Sequence, residues 1–76
     1  MKQLIETIVK PLVDFPEDVR VNVNEEDQRI TYYLTVNKTD MGKVIGKQGR
    51  VAKAIRTVVY AAGSSQQKKI FLEIGE

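Results

Sequence analysis

Cysteine and histidine are both missing from these 76 residues. Without cysteine there is neither a disulfide framework nor a thiolate zinc site. Without histidine the chain lacks the commonest general base and the commonest metal ligand. No apolar run approaches the roughly 20 residues that span a bilayer, and no signal-peptide core follows Met1. An intracellular, cytoplasmic setting is expected. The length permits one small domain, which buries only about 60% of its unfolded surface and so has a thin stability margin.

What the chain does have is unevenly spread. Its net charge is only +2, yet residues 38–56 carry Lys38, Lys43, Lys47, Arg50, Lys53 and Arg56 against the single acid Asp40. Residues 1–37 lean the other way, with seven acidic groups to four basic ones. Taken alone, the basic cluster reads equally well as a solvated helix face. It coincides, however, with a glycine segment. Gly46 and Gly49 bracket Lys47 and Gln48, and a helical pattern starts directly after them. Glycine has no Cβ to hold a ligand away from backbone amides, and a helix N-terminus favours anions. Together these features point to a phosphate-binding edge and to nucleic acid.

Periodicity supplies the framework. Leu4, Ile5, Ile8, Val9, Leu12 and Val13 recur at helical spacing over residues 2–15, with Pro11 expected to kink or shorten the helix. Val19, Val21 and Val23 alternate with polar residues, as do Ile30, Tyr32, Leu34 and Val36, giving two strands joined by a polar turn at residues 25–28. Thr39 or Asp40 is the expected cap of a very short helix over residues 41–45. Beyond the glycines, Val51, Ile55, Val58, Val59 and Ala62 define a helical face, and Gly63 offers a stop. A polar loop over residues 64–68 precedes a last alternating strand with Ile70, Leu72 and Ile74. The expected architecture is α+β, ordered α-β-β-α-α-β, a three-stranded mixed sheet with three helices packed on one face.

The run Val44-Ile45-Gly46-Lys47-Gln48-Gly49-Arg50 followed by an amphipathic helix resembles the signature of a K-homology (KH) domain. Because the extra helix and strand precede the core, the order is similar to the type II KH arrangement, and the chain as a whole resembles the small bacterial single-KH proteins of the KhpA family. The resemblance implies one domain over residues 1–76, with a core motif at about 29–75 behind an extension at 1–28. It departs from the common pattern at Ala52, where a larger aliphatic residue is usual, which bears on groove width and base specificity.

The resemblance also implies a role: a Gly-x-x-Gly loop that clamps the backbone of about four single-stranded nucleotides. The expected RNA-binding residues are Lys43, Val44, Ile45, Gly46, Lys47, Gln48, Gly49, Arg50, Lys53 and Lys68, with residues 67–71 as the far wall of a groove. Val44 and Ile45 have an alternative as core residues, and Lys53 and Arg56 as plain solvent-facing charge. Tyr32 and Tyr33 lie on opposite strand faces, so at most one is available, and Tyr60 is either a contact or an edge of the core. The partners that the resemblance implies are single-stranded RNA and a KhpB-like protein with its own KH domain; a second copy of the chain is the alternative partner. RNA chaperoning and effects on cell elongation and wall homeostasis follow from the same source.

Enzymatic readings fare worse. A P-loop needs four residues between its glycines and a hydroxyl after the lysine, whereas Gly42 and Gly46 are separated by three and Lys47 is followed by Gln48. Glu25, Glu26 and Asp27 cluster in a turn with no nucleophile or base nearby. No enzyme activity, metal or cofactor is expected. The remaining alternative is a protein-interaction module that uses the loop and helix surface to dimerise.

Overall fold

Six regular elements follow one another: α1 (Lys2–Val9), β1 (Arg20–Glu25), β2 (Arg29–Thr35), α2 (Met41–Ile45), α3 (Arg50–Ala62) and β3 (Lys69–Gly75). They are seen in a computed structural model that describes residues 1–63 and 68–75. The sheet runs β1-β2-β3, with β1 and β2 antiparallel and β2 and β3 parallel. This is the expected mixed sheet, because α2 and α3 together carry the chain back between the two parallel strands.

Strand alternation decides what is covered. Ile30, Tyr32 and Leu34 on β2, Val21 on β1 and Leu72 on β3 are buried beneath the helices. Ile5 and Val9 of α1, Val44 of α2 and Val59 of α3 complete this core at zero exposure. The opposite sheet face carries Arg29, Tyr33, Lys69, Phe71 and Glu73, all exposed. Thr31 on that face departs from the expected alternation: it is buried, because the central strand sets it between Asn24 of β1 and Phe71 of β3.

Several local expectations need adjustment. The first helix ends at Val9 and passes into a 3-10 turn at Lys10–Leu12. Pro11 has no N–H to continue the i→i−4 ladder, and Leu12, expected on the buried stripe, is instead exposed. Glu25 still pairs with Ile30, so the hairpin turn is confined to residues 26–28 and closes through the Glu26 N–H donating to the Arg29 carbonyl at 2.8 Å.

Neither Thr39 nor Asp40 caps the short helix with its side chain. Asn37 accepts the Thr39 N–H at 2.9 Å and so caps the 3-10 turn that leads into it. Asp40 turns inward to zero exposure and accepts the backbone N–H groups of Asp14 and Phe15 at 3.1 and 3.0 Å. The buried face of α3 is also rotated from the expected one. It is centred on Ala52, Ile55 and Val59, and leaves Val58 46% exposed.

Gly63 does end α3, but its φ is an ordinary −93°. What it supplies is space: a Cβ there would lie 1.9 Å from Ile70 Cδ1. Residues 64–67, expected as a polar loop, fall outside the described residues. No helix among the described residues is long and apolar enough to cross a membrane.

Candidate nucleic-acid interface

Positive backbone angles concentrate in four residues. Gly46 has φ 76° and ψ 175°, a combination essentially restricted to glycine. Gln48 (φ 57°) and Gly49 (φ 75°) follow in the left-handed region. Gln48 is the one non-glycine residue with positive φ among the described residues. A side chain held there costs of order 1 kcal/mol and tends to mark functional segments. The two glycines are needed for different reasons. A Cβ on Gly46 would lie 2.4 Å from Val51 Cγ2 and 2.9 Å from the Val51 nitrogen, whereas a Cβ on Gly49 would meet nothing within 4 Å. Gly46 therefore lets the turn sit down on α3. Gly49 only bends the chain.

The turn is pinned at both ends. The Gly46 N–H donates to the Gly42 carbonyl at 2.8 Å, and the Gly49 N–H donates to the Gly46 carbonyl at 3.2 Å. Lys47 and Gln48 project at its tip and are exposed. Arg50 begins α3 and reaches back to the Gln48 side-chain oxygen at 3.4 Å. Among the described residues no side chain caps the start of α3; the Arg50 N–H donates to the Lys47 carbonyl, and the exposed cations Lys47, Arg50 and Lys53 lie on the turn and the first turn of the helix.

The other expected site residues divide. Val44 lies wholly inside the core, so the aliphatic contribution at the surface falls to Ile45, which is 37% exposed. This follows from the short α2, which has one inward face and must use it to seat the loop. Lys43 is committed to an ion pair with Asp14, and Asp40 lies 3.8 Å away. The hydrogen bond that Lys43 donates to Asp14 holds the Lys43 pKa above its usual 10.5, burial pulls the other way, and the charges of Asp14 and Asp40 add to the rise. Lys53 is exposed and has no acidic partner among the described residues.

Lys68 stands apart from the loop. Parallel pairing sets Lys69 beside Arg29 and Gly75 beside Thr35, so Lys68 is at the hairpin end, where it bonds Glu25 at 2.6 Å. The 13 residues of α3 separate the two ends by about 20 Å. Between them α3 runs beside the free edge of β3, the course of the expected groove, and Arg56 spans the two, its Nε donating to the Leu72 carbonyl at 3.2 Å. Of the expected far wall, Lys69 and Phe71 face away from the helices on the exposed side of the sheet; Gln67 lies outside the described residues. Ala52 is nearly fully buried at the base of α3.

Sequence reasoning ranked Arg56 low because nothing local reveals a cross-element bond. It also missed the pairing of Arg29 with Phe71, whose ring centroid is 4.5 Å from the guanidinium. The period-2 pattern put both residues on one face, but only the parallel register makes them neighbours. Tyr33, 39% exposed, is the available strand tyrosine; Tyr32 is core, and Tyr60 is 41% exposed.

A type II KH domain is the class these elements define: an α-β-β-α-α-β order with a Gly-x-x-Gly turn joining the two central helices. The model for the KH domain of KhpA/KhpB matches residues 2–74, and the chain belongs to that family. It is 64% identical over 76 residues, the full length of both chains, to the RNA-binding protein KhpA of Listeria monocytogenes. Against the RNA-binding protein KhpA of Bacillus subtilis it is 58% identical, over 97% of this chain and 91% of that one. Among solved structures, the fold is similar to Aquifex aeolicus Era bound to GDP·AlF4−, with a TM-score of 0.70 and 17% identity. That match covers 97% of this chain, which spans 29% of the length of the Era chain.

Proposed function

We propose that the chain is an RNA-binding protein that grips the sugar-phosphate backbone of single-stranded RNA at the turn of residues 46–49. The observation that carries this reading is the glycine turn itself, seated on Val51 with exposed cations on it and just beyond it. Lys47 and Arg50 supply mobile charge to phosphates, Gln48 a neutral hydrogen-bonding group, and Lys53 a further cation along the groove. Ile45 gives the bases an apolar contact, with Val44 supporting it from below. Lys43 and Lys68 contribute only by leaving their acidic partners, and so rank behind the other cations. The full-length kinship with proteins named RNA-binding protein KhpA supports the same ligand.

With few phosphate contacts in one domain, binding is weak, salt-sensitive and permissive of sequence. We further infer a non-enzymatic, cytoplasmic role as an RNA chaperone, alongside a KhpB-like KH protein, in control that reaches cell elongation and wall homeostasis. The support is family membership, since one KH model covers both KhpA and KhpB. On this reading residues 1–28 are an extension that buttresses the core motif at 29–75.

The test is a double substitution, Lys47→Asp with Gln48→Asp, which leaves both glycines in place. RNA affinity falls at least tenfold while the folded signature persists; undiminished affinity overturns the proposal. A second reading has its own observation. Leu4, Ile8 and Leu12 of the first helical segment face Val51, Ala54 and Val58 of α3 across an apolar depression of about 410 Å³. Such a surface suits a protein partner, a second copy included. Light scattering that shows a dimer whose RNA affinity ignores the loop substitutions favours this alternative.

A further inference from the structure

We propose that the uncovered face of the sheet, at the corner formed by Arg29, Lys69 and Phe71, is a second contact for the same single-stranded RNA, stacking a base beyond the groove. The inference rests on the loop reading for its ligand and extends that ligand's path.

Phe71 is 37% exposed, on the sheet face opposite the core residues, where no described helix packs. Its partial cover is the Arg29 guanidinium, 4.5 Å from the ring centroid. A planar guanidinium stacked on an aromatic ring presents its own outer face, and RNA-binding proteins stack unpaired bases on both kinds of surface. Beneath the pair, Thr31 is buried, which gives the stack a firm floor. Tyr33, also exposed, stands two residues along β2 from Thr31, the partner of Phe71.

Charge and position agree. A depression of about 640 Å³ at this corner is lined by Asp27, Gln28, Arg29, Lys68, Lys69 and Phe71; with Lys68 tied to Glu25, Arg29 and Lys69 stand against the single lining acid Asp27. It lies at the Lys69 end of β3, next to Lys68. On this reading a strand held by its phosphates at residues 46–49 follows α3 for about 20 Å to reach this corner. Base–aromatic stacking tolerates any base, in keeping with permissive binding.

The chain has no tryptophan, so Phe71→Trp places a single indole reporter at this position and retains an aromatic ring. Tetra- and deca-uridylate are titrated at low ionic strength, with loop amides followed in parallel. The tetramer is expected to shift the amides of residues 46–50 and leave the indole unchanged. The decamer should do both, quenching the indole. In the otherwise natural chain, Phe71→Ala should weaken decamer binding about fivefold or more and leave tetramer binding within about twofold; extra binding registers on the decamer affect both proteins alike. Decamer binding with shifted loop amides but an unchanged indole overturns the inference and leaves the loop reading intact. Indole quenching with unmoved loop amides overturns the loop reading and retains the sheet-face contact. An indole signal that changes with protein concentration in the absence of RNA assigns the face to a second copy and overturns it too.

Discussion

The Asp40 carboxylate, at zero exposure, accepts the backbone N–H of Phe15 at 3.0 Å across 25 residues of sequence. Its other oxygen holds the Asp14 N–H at 3.1 Å. This fastens the exit of the N-terminal segment to the start of the helix that carries the glycine turn. The extension therefore helps to fix the site.

Removing that carboxylate strands two backbone donors. Asp40→Ala should lower stability by about 2 kcal/mol, within the usual range for hydrogen bonds to a charged group, here a fully buried one. Urea denaturation checks this; a loss under about 0.5 kcal/mol contradicts the role.

The two loop glycines should respond differently. Gly49→Ala pays only for left-handed backbone, about 1–2 kcal/mol, since a Cβ there meets nothing. Gly46→Ala pays for its angles and for collision with Val51, and so costs more and displaces the turn. Equal losses in thermal or urea unfolding would show that contact with Val51 does not matter.

At Gly63 the obstruction is Ile70 Cδ1, 1.9 Å from a built Cβ. Gly63→Ala alone should cost about 1–3 kcal/mol through overpacking. In an Ile70→Val background, which deletes that methyl group, the same change should cost far less. A double-mutant cycle measures the coupling; strict additivity contradicts it.

Lys43 predicts an alkaline effect. Its folded pKa is raised above 10.5, chiefly by the hydrogen bond it donates to Asp14. The stabilisation is therefore complete below 10.5 and is lost as pH climbs through the folded value. Unfolding of Lys43→Gln and of the unaltered chain, compared across that window, should converge as pH rises. A constant gap contradicts the pairing.

Much of this was legible beforehand because alternation and helical spacing record burial directly. Ile30, Tyr32 and Leu34 lie inside as their period-2 pattern requires, and α2 spans residues 41–45 as expected. The glycine turn stood out because its residue types answer to backbone angles. What escaped were choices made across the fold: Asp40 as a buried tie instead of a cap, Arg56 on the edge of β3, Arg29 over Phe71, and a Gly63 required by Ile70. Each depends on which distant element arrives beside it, and local pattern carries no such record. Val44 and Ile45 show the same limit, since two adjacent aliphatics differ only in which one the core takes.

The claim on which the account depends is that residues 46–50 hold RNA phosphates. Backbone amide resonances followed while a short oligoribonucleotide is added test it most directly. The account predicts that Gly46, Lys47, Gln48, Gly49 and Arg50 shift together and saturate, and that affinity drops about tenfold between roughly 50 and 200 mM salt, as two or three neutralised phosphates require. Shifts confined to α1 and the outer face of α3, with those five amides unmoved, would contradict it.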